Sequence, residues 1–435
     1  MAGGTRYGYT LMTEQSGPRQ IVRYAAVAER AGFDFEVMSD HFFPWLTEQG
    51  HAGYAWSMLG AITQVTDRVE LMTYVTCPLM RYHPAVVAQK AATIGILSEG
   101  RFTLGLGAGE NLNEHIVGRG WPPVNVRHEM FGEALDIISQ LFDGGYVSYA
   151  GSHYRVDSAK LWDLPETRVP IGVAVSGDQS IDAFAPLADH LVAVEPQADL
   201  VKTWDRAVGG RESGKIGQVP ICWDPDKDRA VERAHEQFRW FAGGWKVNAE
   251  LPGPSGFAGA TQFVRPEDVA GAIPCGPDLG PIVEAVRAFT DTGFTDVALV
   301  QIGDDGQEEF LQFAEKELLP ALRSGWPVEQ PLRDDRGPRP QRQDADHDGR
   351  QRHHRGERVE VARRRSAAAP DHGAAPQQNR QKAGVRQARA DAETDQRGEH
   401  GRHAEGCHER HQQECRRQVV DSVGQHGAHQ RSRQE

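Results

Sequence analysis

The chain has 435 residues and a formal net charge of −13 at pH 7. Residues 327–435 hold 22 Lys and Arg against 18 Asp and Glu, so the acidic excess lies before them, and nucleic acid is not an expected partner of an acidic body. The five cysteines are odd in number and widely spaced, and no segment has the roughly 20 uninterrupted apolar residues of a membrane helix, so we expect a soluble, cytoplasmic protein.

Short β-rich runs alternate with segments of helical periodicity over residues 1–326, which is typical of a parallel α/β fold. Eight strands are predicted, at residues 7–12, 34–40, 69–77, 101–109, 171–176, 190–195, 217–224 and 296–303. Helices are predicted at residues 18–33, 54–66, 84–98, 127–142, 180–189, 199–208, 227–242, 281–292 and 308–322. Eight strands that are each followed by a helix favour a closed (β/α)8 barrel of the TIM type.

Two short insertions interrupt this regular pattern. Residues 146–156 alternate around an Ala-Gly turn and predict a small hairpin. Residues 243–278 are rich in Gly and Pro, and we expect them to cross the mouth of the barrel.

The composition changes at residue 327. From there to residue 435, Arg, Gln, His, Asp, Ala and Gly dominate, almost no aromatic residues occur, and no periodic apolar face can offset the entropy of ordering. We therefore predict one barrel domain at 1–326 and a disordered tail at 327–435, whose composition also matches an out-of-frame reading of a GC-rich gene. No metal site is predicted, because biased composition alone explains the fourfold spacing of His403, Cys407, His411 and Cys415.

In a barrel of this type, active residues lie at the carboxyl ends of the strands. That rule selects Asp40, His41, Cys77, Glu110, Asn113, Ser176, Gly177, Asp178, Glu195, Asp224 and Gln301. A histidine and a carboxylate on neighbouring walls form a candidate acid/base pair. The alternative is structural, with His41 capping its loop and Trp45 serving only as an apolar residue of the mouth.

Three glycines alternate at the end of the fourth strand, at Gly105, Gly107 and Gly109. Their spacing differs from a dinucleotide-binding fingerprint. They predict room for a flat cofactor ring, with Glu110 directed into the mouth, and the alternative is simple tight packing.

Taken together, three motifs resemble the luciferase-like superfamily, in particular its coenzyme F420-dependent glucose-6-phosphate dehydrogenase group. The resemblance extends over residues 6–325. Its motifs are Ser39-Asp40-His41-Phe42 with Trp45, the run Arg81-Tyr82-His83-Pro84-Ala85, and Gly105-x-Gly107-x-Gly109-Glu110-x-Leu112-Asn113-Glu114.

The resemblance implies a role for each residue of the motifs. Asp40 would contact the deazaflavin, and His41 would be the base that removes the hydroxyl proton of the substrate. Trp45 would cover the reacting centre, Glu110 would protonate the ring as hydride arrives, and Asn113 would contact the ring or the ligand. Hydride leaves an alcohol carbon readily only when the hydroxyl proton is removed as well, so this division is chemically consistent.

The same resemblance implies further cofactor contacts. Tyr74 and Val75 would be joined by a cis peptide that bulges against the ring, with Cys77 beside it. Backbone N–H groups would face the coenzyme phosphate at Ala174, Val175, Ser176 and Gly177, next to a helix N-terminus. The group also implies a homodimer.

This chain departs from the sugar-phosphate dehydrogenases at the substrate end. Where they have a lysine after the sixth strand, it has Glu195 and Gln197, and a carboxylate there would repel a phosphate. The later arginine position is lost within residues 274–278. We therefore expect a small-molecule alcohol or sugar-type substrate other than glucose-6-phosphate.

Three functional hypotheses follow. The first is reversible hydride transfer between an alcohol carbon and F420, with His41 as base and Glu110 as acid. The second keeps the barrel but uses FMN and oxygen, as a luciferase-like monooxygenase. The third is a non-catalytic F420-binding protein, against which the presence of both His41 and Glu110 argues.

Overall fold

The computed structural model describes residues 4–325. The predicted disorder of residues 327–435 and the regularly spaced His and Cys residues of that segment lie outside the described residues. Within residues 4–325, no helix has the length and apolar character needed to span a membrane.

Eight parallel strands close into a barrel, as predicted. They are β1 (Arg6–Leu11), β2 (Phe35–Met38), β3 (Glu70–Thr73), β4 (Phe102–Leu106), β7 (Ile171–Ala174), β8 (His190–Ala193), β9 (Lys215–Ile221) and β10 (Asp296–Gln301). Their order around the barrel is β1-β10-β9-β8-β7-β4-β3-β2. The predicted hairpin is also confirmed, as the antiparallel pair β5 (Val147–Ala150) and β6 (Arg155–Ala159).

Helices surround the barrel and cover its mouth. They are α1 (Pro18–Ala31), α2 (Ala55–Ile62), α3 (Pro84–Leu97), α4 (Asn111–Glu114), α5 (Val124–Phe142), α6 (Asp178–Phe184), α7 (Ala198–Ala207), α8 (Lys227–Phe238), α9 (Trp245–Asn248), α10 (Pro254–Ala260), α11 (Pro266–Ala272), α12 (Leu279–Thr290), α13 (Gln307–Phe313) and α14 (Leu319–Ser324). A π-helical segment at Ala314–Leu318 joins α13 to α14.

Helix α1 shows how the sequence sets the boundaries of an element. Pro18 occupies the first turn, where its missing N–H costs nothing. Gly32 ends the helix with φ 97°, and its N–H donates to the carbonyls of Ala28 and Glu29. The apolar side of the helix is buried against the strands.

The barrel interior is packed rather than hollow. Its core consists of Phe35, Val37, Met72, Val192, Ile216 and Ala298. These side chains fill the centre below the mouth, and in a barrel of this type we expect the ligand at the upper rim, where the strands end.

A separate apolar cluster lies at the mouth, and we call it the mouth cluster. Its buried members are Met12, Trp45, Leu46, Leu112, Cys222, Ala230, Ala234, Phe238, Phe257, Val269, Ile273, Val300 and Ile302. Residues 243–278 contribute three of these through α10 and the segment that follows it. The predicted crossing of the mouth is therefore correct, but the short helices α9, α10 and α11 within it were not predicted.

Candidate active site

His41 lies directly after β2 and is held from behind by a buried carboxylate. Its Nδ1 is 3.1 Å from the carbonyl of Phe43 and 3.4 Å from Oε1 of Glu14. Glu14 is fixed in turn, because its Oε2 accepts from the hydroxyls of Ser39 at 2.5 Å and Thr13 at 3.1 Å. A carbonyl can only accept, so Nδ1 carries the proton in the neutral ring, and Nε2 is the nitrogen that can take a proton.

Asn113 connects the His41 loop to Glu110. Its Oδ1 accepts from the backbone N–H of Phe42 at 2.8 Å and of Phe43 at 3.3 Å. Its Nδ2 donates to Oε2 of Glu110 at 3.5 Å. One amide thus bridges the ends of β2 and β4, and it brings the predicted base and the predicted acid to the same side of the mouth.

Asp40 is buried in a shell of donors. Its Oδ2 accepts from Trp56 Nε1 at 3.1 Å and from the Thr76 hydroxyl at 2.8 Å. Its Oδ1 accepts from Arg81 Nη2 and the Tyr82 hydroxyl, both at 3.2 Å. A carboxylate has about four acceptor positions, and protein groups fill all of them here. The predicted contact between Asp40 and the deazaflavin stays a prediction.

Arg81 also pairs with a second buried carboxylate, Glu114. Oε2 of Glu114 accepts from the backbone N–H of Arg81 at 2.7 Å, and its Oε1 lies 3.4 Å from Nε of Arg81. Burial raises the pKa of Glu114 to about 6, although the charge of Arg81 acts in the opposite direction. The charge of neighbouring Glu110 contributes to this increase.

The three alternating glycines pack against the end of β3. A Cβ on Gly105 would lie 1.9 Å from the carbonyl oxygen of Thr73, and one on Gly107 would lie 2.7 Å from Cγ2 of Val75. A Cβ on Gly109 would lie 2.4 Å from Sγ of Cys77. Protein atoms occupy each of these positions, which favours the tight-packing interpretation of the motif.

The cis peptide implied by the resemblance is present between Tyr74 and Val75. The hydroxyl of Tyr74 donates to the carbonyl of Ala193 at 3.1 Å. Cys77 follows at the same rim, and burial holds the pKa of its thiol well above the ordinary value. Contact of these three residues with a cofactor stays a prediction.

The predicted phosphate-binding segment lies at the end of β7. Ala174 ends the strand, and Gly177 immediately precedes α6. The N–H of Val175 donates to the Val192 carbonyl at 3.2 Å, and that of Ser176 donates to the Ser180 hydroxyl at 3.3 Å. At least two of the four predicted backbone donors therefore already have partners within the protein.

The candidate substrate residues Glu195 and Gln197 lie after β8 and are exposed. The side-chain amide of Gln197 donates to Oε2 of Glu195 at 2.5 Å. No lysine or arginine stands between β8 and α7, so this rim offers a carboxylate and an amide to a ligand.

Trp45 forms an aromatic wall with Trp240 and Phe257. Its ring stacks on Trp240 with centroids 4.1 Å apart and an angle of 7°, and it meets Phe257 edge to face at 5.2 Å. It also lies 4.9 Å from the His41 imidazole. The wall joins the mouth cluster to the candidate base, so the reacting region has an apolar side.

Three site residues received no role from the sequence: Glu14, Arg81 and Glu114. Glu14 lies three residues beyond the end of β1, so the strand-end rule, applied to the first strand as well, identifies it. Arg81 and Glu114 stand within the motifs of the resemblance, but only the folded chain shows that they pair.

Comparisons of the sequence with known proteins find a matching family and named relatives. The sequence model of the luciferase-like monooxygenase family matches residues 5–296. An F420-dependent glucose-6-phosphate dehydrogenase of Microbacterium testaceum is 33% identical over 333 residues, which are 73% of this chain and 97% of that protein. An F420-dependent hydroxymycolic acid dehydrogenase of Mycobacterium tuberculosis is 33% identical over 322 residues, 73% of this chain and 88% of that protein.

Solved structures share the barrel. An F420-dependent secondary alcohol dehydrogenase in complex with an F420-acetone adduct superposes with a TM-score of 0.66 at 28% identity, over 74% of this chain and 100% of that one. The coenzyme F420 dependent tetrahydromethanopterin reductase of Methanopyrus kandleri has a TM-score of 0.61 at 19% identity, again over 74% and 100%. The latter likeness concerns the fold alone.

Proposed function

The chain belongs to the luciferase-like monooxygenase family, and from this premise we propose that it is a coenzyme F420-dependent oxidoreductase acting on an uncharged alcohol. Relatives named as F420-dependent dehydrogenases align along nearly their whole length. They support F420 as the cofactor over the FMN alternative. The observation that carries the mechanism is the amide of Asn113, which joins the loop of His41 to Glu110.

The residues at the rim fit the needs of this cofactor. When bound, F420 supplies a ring carbon that accepts or returns a hydride. Oxidation of an alcohol also requires a base for the hydroxyl proton and an acid to balance the charge on the ring. His41 and Glu110 are such a pair, and no other histidine–carboxylate pair is bridged in this way among residues 4–325.

In our proposal His41 removes the hydroxyl proton through Nε2. The carbonyl of Phe43 and the carboxylate of Glu14 hold the ring in the tautomer that leaves Nε2 free. The negative charge of Glu14 stabilises the imidazolium once the proton has been taken. Glu110 is half-buried and is held by Asn113. It would donate the proton that the cofactor ring takes up together with the hydride.

The mouth cluster indicates the class of substrate. Trp45 lies beside His41 and packs on Trp240 and Phe257, and Glu195 places a carboxylate where a basic residue would be needed to bind phosphate. An apolar wall excludes water from the reacting atoms and favours a neutral carbinol. We propose a secondary alcohol with apolar substituents rather than a sugar phosphate.

The first experiment tests the cofactor and the class of substrate. Purified protein is titrated with F420 and with FMN, and alcohol oxidation is followed by the loss of F420 absorbance. We expect F420 to bind more tightly than FMN, and 2-propanol or a longer secondary alcohol to give a higher kcat/KM than glucose-6-phosphate. Oxygen uptake with reduced FMN would support the monooxygenase alternative, and F420 binding without hydride exchange would support the binding-protein alternative.

The second experiment tests the base. His41→Ala should lower kcat by about 10²–10⁴-fold while F420 still binds, since a positioned base contributes about that factor. His51→Ala, at an exposed histidine, is the matched control and should behave like the parent. Full turnover in His41→Ala would remove His41 from the mechanism.

A further inference from the structure

Lys90, on α3, buries its ammonium group against aromatic rings. Nζ lies 3.2 Å from the ring centroid of Tyr82, 5.2 Å from that of Tyr54 and 5.4 Å from that of Trp56. The atom is shielded from solvent and has no hydrogen-bond partner within the described part of the chain. Buried ammonium groups are normally paired, so the faces of these three rings are what compensates this charge.

Two of those rings carry donors that help to hold Asp40. The Tyr82 hydroxyl donates to Oδ1 of Asp40, and the Trp56 indole donates to Oδ2. A cation over an aromatic face draws electron density from the ring, and this strengthens the O–H or N–H group as a hydrogen-bond donor. Lys90 therefore acts on Asp40 without touching it.

The charges around Asp40 lead to the same conclusion. Asp40 and Glu114 are two buried carboxylates that share one guanidinium, that of Arg81. The charged groups that act on Lys90 are Asp40, which follows β2, and Arg81, in the segment between β3 and α3. A protonated Lys90 supplies the second positive charge and makes the set of four neutral.

We propose that Lys90 is a positioning residue of the active site, whose ammonium, through Tyr82 and Trp56, fixes Asp40 and the His41 loop that follows it. The proposal of an effect on activity rests on the proposed function. Burial lowers the pKa of Lys90 to about 8, opposed by the charge of Asp40. The ammonium is present at pH 7, and it is lost as the pH rises through about 8.

A double-mutant cycle on the full chain without cofactor tests the route through Tyr82. The variants are Lys90→Met, Tyr82→Phe and the pair, compared by urea unfolding at pH 7. Tyr82→Phe keeps the ring but removes the hydroxyl that Lys90 is inferred to strengthen. The pair should therefore lose less stability than the two single losses together. Gln89→Met, exposed on the same helix, is the control and should be additive with Tyr82→Phe.

Additive losses for Lys90→Met and Tyr82→Phe would overturn the proposal. This cycle needs no cofactor, so it tests the role of Lys90 even if the protein fails to bind F420. A failure to bind F420 would contradict the proposed function but not the role of Lys90. Lys90→Arg, which keeps a positive charge, is the second variant and should retain the coupling to Tyr82→Phe.

The pH profile of turnover gives the second readout. We expect kcat/KM of the parent to fall as the pH rises through about 8. Lys90→Met should be about tenfold less active at pH 7 and should lack that fall, because it has no group to titrate there. Lys90→Arg should restore activity to within about twofold and keep it above pH 8, since arginine stays charged.

Lys202→Met, at an exposed lysine, controls for the loss of one positive charge. Superimposable profiles for the parent and Lys90→Met would overturn the proposal.

Discussion

At the scale of single residues, Glu14 is the clearest case of a side chain that works through another. It is 1% exposed and carries two hydroxyl donors on one oxygen and the imidazole of His41 near the other. A charge in such a place is costly to bury, so its position beside His41 favours a role in the site. The proposed role is to orient His41 and to stabilise the imidazolium.

Replacing Glu14 tests this role. Glu14→Gln keeps the shape and removes the charge, so we expect kcat to fall by about 10²-fold, with little change in F420 affinity. Glu166→Gln, at an exposed glutamate, is the control. An unchanged kcat in Glu14→Gln would contradict the assignment.

Gly109 is required for two separate reasons. Its φ of 74° is a conformation that side chains disfavour, and an added Cβ would meet Sγ of Cys77 at 2.4 Å. Gly118 has a similar φ of 72°, but no atom of residues 4–325 lies within 4 Å of an added Cβ there. Comparing alanine variants at the two positions therefore separates two contributions to the loss of stability: the positive φ, which both share, and the overlap with Cys77, which occurs only at Gly109.

We expect Gly118→Ala to lower the free energy of unfolding by about 1 kcal/mol and Gly109→Ala by about 2–4 kcal/mol. Urea unfolding of both variants gives the comparison. Adding Cys77→Ala to Gly109→Ala should recover part of the loss, because the thiol is the nearest atom. Equal losses at the two glycines would show that the overlap has no energetic consequence.

At the scale of the elements, strand and helix order followed from the sequence because apolar periodicity is strong wherever an element packs on the barrel. Prediction failed where elements are short. Helix α9 has four residues, and α10 and α11 have seven each, which is too few turns for a periodic signal to stand out from Gly and Pro. Strand β3 also ends at Thr73 rather than at residue 77, because the chain leaves the regular ladder before Thr76 rejoins it opposite Leu106.

Strand β2 contains an unusual residue, the buried glutamate Glu36. Its neighbours Phe35 and Val37 belong to the barrel interior, so the alternation of a strand turns Glu36 toward the helical layer. The side chain is 1% exposed, and neither carboxyl oxygen has a hydrogen-bond partner among residues 4–325. Burial, followed by the charge of Glu29, raises the pKa of Glu36 well above its ordinary value.

This predicts a stabilising substitution with a defined pH dependence. The folded protein holds a proton on Glu36 that the unfolded chain releases, so stability is lost as the pH rises above about 4.5 toward the folded pKa. Glu36→Met should be more stable than the parent by about 1–3 kcal/mol at pH 7, with the gap narrowing toward pH 4. Glu284→Gln, at an exposed glutamate, should show no such trend. Urea unfolding between pH 4 and 8 measures the free energy of unfolding of each variant. A difference between Glu36→Met and the parent that does not change with pH would refute the argument.

At the scale of the whole molecule, the barrel rule placed the predicted base and acid on one rim, because the parallel strands of a barrel all end at the same face. It could not give the pairing of Asp40, Arg81 and Glu114, which follow three different strands and meet only when β2, β3 and β4 lie side by side. The rings around Lys90, those of Tyr54, Trp56 and Tyr82, were not predicted for the same reason. No spacing along the chain relates the residues near α2 to those near α3.

The extent of the functional unit gives the last prediction. The curated relatives align over 73% of this chain while covering 97% and 88% of their own lengths, so the shared unit resembles residues 1–326 in size. The composition after residue 327 predicts no further core. A chain ending at residue 326 should therefore bind F420 within about twofold of the full chain, and its thermal midpoint should differ by less than about 2 °C, since a change of 1 kcal/mol moves the midpoint of a large domain by roughly that amount. Sedimentation of both chains tests the predicted homodimer in the same samples. A loss of F420 affinity or of the dimer on truncation would place residues 327–435 within the functional unit and overturn the predicted boundary.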